Sequence, residues 1–185
     1  MQTEVMFAGF GGQGILASGK ILAQAAMAEG REVAWVPSYG PEMRGGTAYC
    51  LVVISDRPIG SPIVKKPHHL VAMNRPSLEK FTPMLKPNGT VLINTTLVPV
   101  DAGRDDLYPV KVPATTIASA LGNSRAANVV ALGAFVETTG ILPFGTLIDS
   151  VTAEFAKKEK LVDLNLQALE AGRAAAVENR GEKRT

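Results

Sequence analysis

The apolar run EVMFAGF (4–10) ends in four glycines within six residues, GFGGQG (9–14), and a helical pattern begins at once. Nothing else in the chain constrains its fold as tightly. A short apolar run stopped by glycine predicts a buried strand. From Gln13 to about Glu29, the residues Ile15, Leu16, Gly19, Leu22, Ala23 and Ala26 share one face, which predicts a helix packed on a sheet. Gly9, Gly11 and Gly14 fit G-x-G-x-x-G in the strand, turn and helix context that this pattern requires. Glycines permit the tight turn, and free N–H groups at a helix start favour an anion. The other half of a dinucleotide fingerprint is an acid at the end of the second strand. Here that strand, EVAWVP (32–37), runs into Ser-Tyr, while Glu29 and Glu32 stand before or at its beginning. A bound phosphate and a purely structural turn both stay open, with Gly9, Gly11, Gly12, Gln13 and Gly14 as candidate binding residues. The Gln13 amide can either donate to a ligand or cap the backbone.

The rest of the chain alternates in the same way. TAYCLVVIS (47–55) reads as a central strand, and LVAMN (70–74) and TVLINTT (90–96) as strands flanking a helix over 76–85. The proline-rich stretch from Asp56 to His69 predicts a surface connection. A strand over 109–114 precedes helices over 115–121, 125–138, 145–157 and 161–178. Ser124 is expected to cap the second of these. Thr146 with Asp149 resembles a capping box on the third, and Leu161, Leu164, Ala168, Leu169 and Gly172 form a stripe on the last. The expectation is a Rossmann-like α/β fold: a mostly parallel sheet flanked by helices, with a helix-rich C-terminal third. One domain spans 1–178, and the charged tail 179–185 is expected to fray.

The loop SYGPEMRGG (38–46) gathers Ser38, Tyr39, Gly40, Pro41, Glu42, Met43, Arg44, Gly45 and Gly46 after the second strand. It should leave the same sheet edge as the glycine loop, where open α/β sheets bind ligands. Arg44 can clamp a carboxylate or phosphate, and Glu42 can orient it or carry a proton. Surface charges in a glycine-rich turn are the competing reading.

Other chemistry is thinly represented. With 19% charged residues, 5% aromatics and a net charge of +2, the chain offers no nucleic-acid platform. No apolar run is long enough to span a membrane, and the first residues lack a signal-peptide pattern, so a cytoplasmic protein is expected. The lone cysteine, Cys50, falls in a buried strand and reads as packing. His68 and His69 are adjacent and point opposite ways in an extended chain, which disfavours one shared metal and favours solvated or capping roles. Lys65 and Lys66 read as exposed loop charges, and Asn128 reads chiefly as structural. The residues predict no catalytic group and no metal site.

GFGGQG opening a helix, then PSYGPEMRGGTAYC, then ALGNSRAANVVALGA (120–134), resembles the gamma subunit of 2-oxoacid:ferredoxin oxidoreductases from about Thr3 to Gly172. The double glycine with Gln13 is closer to the 2-oxoglutarate or 2-oxoisovalerate branch than to the pyruvate branch. PHHL (67–70) departs from that family, where an acidic residue precedes the strand. The resemblance implies oxidative decarboxylation of a 2-oxoacid, with coenzyme A as co-substrate of the complex and ferredoxin as electron acceptor. Thiamine diphosphate is held in such enzymes by a GDG segment followed by Asn-Asn, and neither string occurs here. A typical iron–sulfur cluster needs four cysteines. No cofactor is therefore expected on this chain alone. Thiamine diphosphate, Mg²⁺ and iron–sulfur clusters are expected on alpha, beta and ferredoxin-like partner subunits, with this chain inactive by itself. The loops 9–14 and 38–46 would face those partners, and self-association into a homodimer in isolation stays open. A free-standing NAD(P)-binding oxidoreductase and a non-catalytic assembly module are the alternatives.

Overall fold

The computed structural model describes the backbone of residues 1–38 and 47–182, and the side chains of those residues except Thr47 and 179–182. Six strands form one sheet: β1 (Gln2–Phe10), β2 (Glu32–Ser38), β3 (Thr47–Ser55), β4 (His69–Ala72), β5 (Thr90–Asn94) and β6 (Tyr108–Val112). Their order is β2-β3-β1-β4-β5-β6. β1 runs parallel to β4, β4 to β5, and β5 to β6. β3 alone is reversed, antiparallel to both β1 and β2. The sheet is thus mostly parallel but mixed. The reversal follows from chain length: the connection from Ser38 to Thr47 is too short for a crossover, which takes a dozen residues or more.

The helices are α1 (Ile15–Ala28), α2 (Arg75–Phe81), α3 (Ala114–Ala120), α4 (Ala127–Thr139), α5 (Phe144–Phe155) and α6 (Glu159–Glu182). Alternation along β1 sends Val5 and Phe7 into one core and Met6 and Ala8 into the other. The first core is roofed by α1, α4, α5 and α6. The second lies under α2 and side chains such as Val98 and Leu107 from the connections. Among the described residues, no helix is long and apolar enough to cross a membrane.

α4 is the hub of the first core. Every residue from Ala127 to Val136 is buried, so the helix has no solvent face for most of its length. It crosses α6 at very short range, because a Cβ at Gly133 would overlap the Leu169 carbonyl and one at Gly172 would overlap the Val130 carbonyl. These paired positions also show that the two helices run antiparallel.

Three local expectations are corrected. α5 starts at Phe144 after Pro143, so Thr146 lies inside the helix, where its hydroxyl donates to Glu29 instead of capping. Ser124 is not the cap before α4. Asn123 accepts from the Arg125 N–H at 3.0 Å and starts a short 3₁₀ turn, Ser124–Ala126, that leads into the helix. On α6, Leu161 and Leu164 are half-buried, and Asn165 takes the inward slot between them and Ala168 while its amide donates to the Leu161 carbonyl at 2.7 Å. The helix continues to Glu182, past the expected end at 178.

Candidate functional site

β1 and β2 both point their C-terminal ends at one edge of the sheet, since each is antiparallel to β3. The glycine loop and the loop after Ser38 therefore leave on the same side. Ser38 is half-buried at the end of β2, opposite Tyr49. Tyr39, Gly40, Pro41, Glu42, Met43, Arg44, Gly45 and Gly46 lie outside the described residues.

Chain direction splits at this edge: β1 continues through α1 toward β2, whereas its parallel neighbour β4 continues through α2 toward β5. Such a switch point opens a crevice beyond the strand ends. A crevice of about 190 Å³ is found there, lined by Gly12, Gln13, Met73, Leu97, Thr115, Ser124, Arg125 and Ala127. Its floor is apolar, and Arg125 is its one charged side chain among the described residues.

The glycine loop forms one wall. Gly12 and Gly14 adopt positive φ, 91° and 73°, where a side chain would be strained. Gly14 caps α1 without any side-chain hydrogen bond, and the first turn of α1 holds no acid. The glycine loop and the first turn of α1 therefore carry no negative side chain. Gly11 and Gly12 are exposed, Gly14 is half-buried, and Gly9 is buried within the strand end.

Gln13 is used internally. Its Oε1 accepts from the Phe10 N–H at 2.6 Å, and its Nε2 donates to the Met73 carbonyl at 3.4 Å. Asn74 approaches the same Oε1 at 3.5 Å and caps α2 by accepting from the Ser77 N–H at 2.8 Å. One amide thus stitches the end of β1 to the end of β4. Asn128 braces the loop from behind, donating to the Gly14 carbonyl at 3.2 Å and the Ser18 hydroxyl at 3.1 Å. Asn128→Ala is expected to cost about 1–2 kcal/mol, because the Gly14 and Ser18 partners lose a buried donor. At this chain length that lowers the melting temperature by roughly 2–8 °C, read by scanning calorimetry.

The two acids that a nicotinamide site could have recruited are at the wrong edge. Glu29 follows the C-terminal end of α1, and Glu32 begins β2, both opposite the crevice. Cys50 is fully buried against α1, its thiol directed at the Ile15 carbonyl at 3.5 Å, and burial pushes its pKa up to about 12. It is a packing thiol with no nucleophilic form at neutral pH.

The histidines diverge as their spacing predicts, but neither is simply solvated. His68 Nδ1 meets Glu4 Oε2 at 2.5 Å, and Lys86 reaches the same oxygen at 3.0 Å. Burial acts to raise the Glu4 carboxyl, but hydrogen bonds from Gln2 and Lys86 and the charges of His68 and Lys86 hold it below its ordinary value. His69 turns to the other face, edge-on to Phe135, and its Nδ1 accepts from the Thr90 N–H at 3.1 Å. Burial, aided by repulsion from His68, pushes its pKa down to about 4. Among the described residues, no group of three or more His, Cys, Asp or Glu side chains is placed to hold a metal ion.

The family model described as pyruvate ferredoxin/flavodoxin oxidoreductase matches residues 4–175, nearly the whole chain. The chain belongs to that family. It is 45% identical over 180 residues to ketoisovalerate oxidoreductase subunit VorA of Methanothermobacter thermautotrophicus, covering 96% of this chain and 37% of the relative. The chain thus spans little more than a third of that protein's length. The gamma subunit of a keto/oxoacid ferredoxin oxidoreductase from Geobacter sulfurreducens superposes with a TM-score of 0.83 at 31% identity, covering 95% of this chain and 99% of that one. A 2-oxoglutarate:ferredoxin oxidoreductase from Magnetococcus marinus, solved with 2-oxoglutarate, coenzyme A and succinyl-CoA bound, superposes with a TM-score of 0.87 at 26% identity. It covers 96% of this chain and 31% of that one. The family unit therefore occurs both as a separate chain and as part of longer ones. Its fold in this protein is that of the gamma subunit.

Arg125 is the crevice residue that sequence reasoning missed. Its signal was available: NSRAAN holds a cation immediately before an otherwise apolar helix.

Proposed function

We propose that this chain is the gamma-type unit of a thiamine-diphosphate-dependent 2-oxoacid:ferredoxin oxidoreductase, with the crevice at the glycine loop receiving the phosphate-bearing part of coenzyme A. The complex converts a 2-oxoacid, coenzyme A and two oxidised ferredoxins to an acyl-CoA, carbon dioxide, two reduced ferredoxins and a proton. Thiamine diphosphate with its Mg²⁺, and the iron–sulfur clusters, reside on alpha, beta and ferredoxin-like partners in the cytoplasm. This chain fits neither group: its 185 residues carry one cysteine, buried and protonated, too few for a cluster, and neither the GDG segment nor the Asn-Asn pair that would hold thiamine diphosphate.

The observation that carries the proposal is the crevice at the switch point, bordered by the glycine loop, with a cation and, among the described residues, no carboxylate. Gly11, Gly12 and Gly14 give a phosphate close access to backbone donors. Gln13 and Asn128 hold that wall in shape, which spares the ligand the cost of ordering it. The loop from Ser38 to Gly46 leaves the same edge and supplies a partner-facing lip. The absence of an acid at the end of β2 counts against a free-standing nicotinamide enzyme.

Purification from the native source tests the whole proposal. Companion chains carrying thiamine diphosphate and iron–sulfur absorbance are expected, whereas a lone protein that binds NADH tightly overturns it. In the assembled enzyme, Arg44→Ala is expected to weaken coenzyme A binding by about tenfold, the worth of one charge-assisted hydrogen bond. Unchanged affinity and turnover remove Arg44 from the site.

A further inference from the structure

A second cleft lies at the other edge of the sheet, away from the glycine loop. It measures about 210 Å³ and is lined by Thr3, Ile54 and His69 of the sheet and by the chain that leaves α4. Strand register explains the first set. Thr3 stands opposite Ile54 and Val5 opposite His69, while alternation puts Thr3 and Val5 on one face of β1. Thr3 and His69 therefore share that face, one pleat apart on neighbouring strands. Gly140 ends α4 in the left-handed conformation, at φ 60°, and turns the chain so that Ile141 lines the cleft.

Two polar groups of this cleft have no partner among the described residues. His69 Nδ1 accepts from the Thr90 N–H at 3.1 Å, so the neutral ring carries its proton on Nε2, and that N–H is unpaired. Burial, with repulsion from His68, keeps the imidazole neutral down to about pH 4. Edge-on contact with Phe135, at 5.6 Å between ring centres, holds the ring in place. Thr3 is only 9% exposed, and its hydroxyl is unpaired as well. Neither atom is sealed in, as the orphan hydroxyls of Ser77 and Thr82 are, and both residues line the cleft. Donors fixed in advance lose little freedom when they bind.

The surrounding charges favour an anion. Asp56 is the cleft's one carboxylate among the described residues. Arg31, which also lines the cleft, and the Met1 amino group both pair with it, and Arg57 is close enough to act on its charge. The Phe135 and Val136 carbonyls at the end of α4 are already taken by the Thr139 hydroxyl and the Gly140 N–H. Ile54 and Ile141 supply apolar wall. We infer that this cleft binds a small aliphatic carboxylate, its oxygens accepting from His69 Nε2–H and the Thr3 hydroxyl near Arg31, its carbon chain against Ile54 and Ile141. Size is limited too: a drug-sized ligand needs about 300–1,000 Å³, so only a short chain fits. This site is separate from the glycine-loop crevice and stands whether or not coenzyme A enters there.

Titration of the full chain with 2-methylpropanoate, followed by nitrogen NMR of the histidine rings, tests the inference. Saturable binding with a dissociation constant of about 1 mM is expected, within reach of a ligand of roughly six heavy atoms. The His69 Nε2–H signal should shift with the same midpoint, and the His69 pKa should rise, since a bound carboxylate favours the charged ring. His69→Asn keeps an acceptor for the Thr90 N–H but removes Nε2, and should weaken binding about 10–100-fold. Thr3→Val should weaken it about tenfold without lowering the melting temperature, because the hydroxyl it removes is unpaired; it decides the matter if His69→Asn fails to fold. Repeating the titration with 3-methyl-2-oxobutanoate distinguishes the source: tighter binding than the simple acid marks a 2-oxoacid site, weaker binding a site for unsubstituted acids, and either ranking supports the cleft. Absence of saturable binding by both acids overturns the inference. So does equal binding of uncharged 2-methylpropanamide, a His69 signal that stays still while the acid binds, or a Thr3→Val dissociation constant within twofold of the parent.

Discussion

Replacing Gly172 by valine is expected to destabilise the protein by about 3 kcal/mol, the upper part of the usual range for overpacking, and to lower its melting temperature by roughly 6–12 °C. A Cβ at Gly172 falls on the Val130 carbonyl oxygen, and its nearest other neighbours are also α4 backbone atoms. Backbone cannot rotate aside as a side chain can, so α6 must lift away from α4. Gly133 meets the Leu169 carbonyl in the same manner, and Gly133→Val should therefore give a similar loss. The double variant should lose much less than twice as much, because one separation of the helices relieves both clashes. Calorimetry of the two single variants and the pair measures this. Melting of Gly172→Val within about 2 °C of the parent would contradict the close crossing.

Acidification is the second large effect. His69 keeps its neutral imidazole in the folded protein down to about pH 4, while the unfolded chain takes up the proton near pH 6.5. The folded pKa is the lower one, so the stabilisation is complete above about 6.5 and is lost as pH falls toward 4. A shift of this size corresponds to about 3 kcal/mol at most, and solvent at the half-buried ring reduces it to about 2 kcal/mol. Glu4 acts with the same sign below its ordinary carboxylate range, and so adds its loss at still lower pH. Urea unfolding from pH 7 to pH 4 should show a falling midpoint, and His69→Gln should flatten that slope. A midpoint independent of pH over this window in the parent would show that His69 takes up its proton as readily in the folded state as in the unfolded chain.

Much of the fold is legible because burial writes plainly in this chain. The runs ending at Phe10 and Ser55 and the small-residue face of α1 predict β1, β3 and α1 nearly to their observed ends. Strand direction is not written in the same code. A strand buried on both faces looks alike whether its neighbours are parallel or not, and β3 reads as an ordinary central strand. The length of the loop before it was the informative quantity. Side-chain partners across long separations were hidden as well. Gln13 reads as either a ligand donor or a backbone cap, and only Phe10 and Met73 beside it show that it serves the backbone. Asn128, 114 residues from Gly14, betrays nothing of the carbonyl it serves. Thr146 and Asp149 carry the right letters for a cap, but Pro143 starts the helix earlier. Local patterns predict elements well, while tertiary hydrogen bonds decide what the polar side chains do.

The antiparallel crossing of α4 and α6 also governs how this unit can be tethered. α4 starts beside the crevice, where Ala127 lines it and Asn128 holds Gly14, and ends at the opposite edge, where Thr139 borders a cleft shared with Met1. α6 retraces that path, so it finishes on the crevice side, while β1 enters from the far side. A segment fused ahead of β1 would anchor the unit by its back and leave the mouth clear. One fused beyond α6 would emerge on the side of the crevice. The end at which extra chain is joined to such a unit thus decides whether the linker lies behind the sheet or on the side of the crevice.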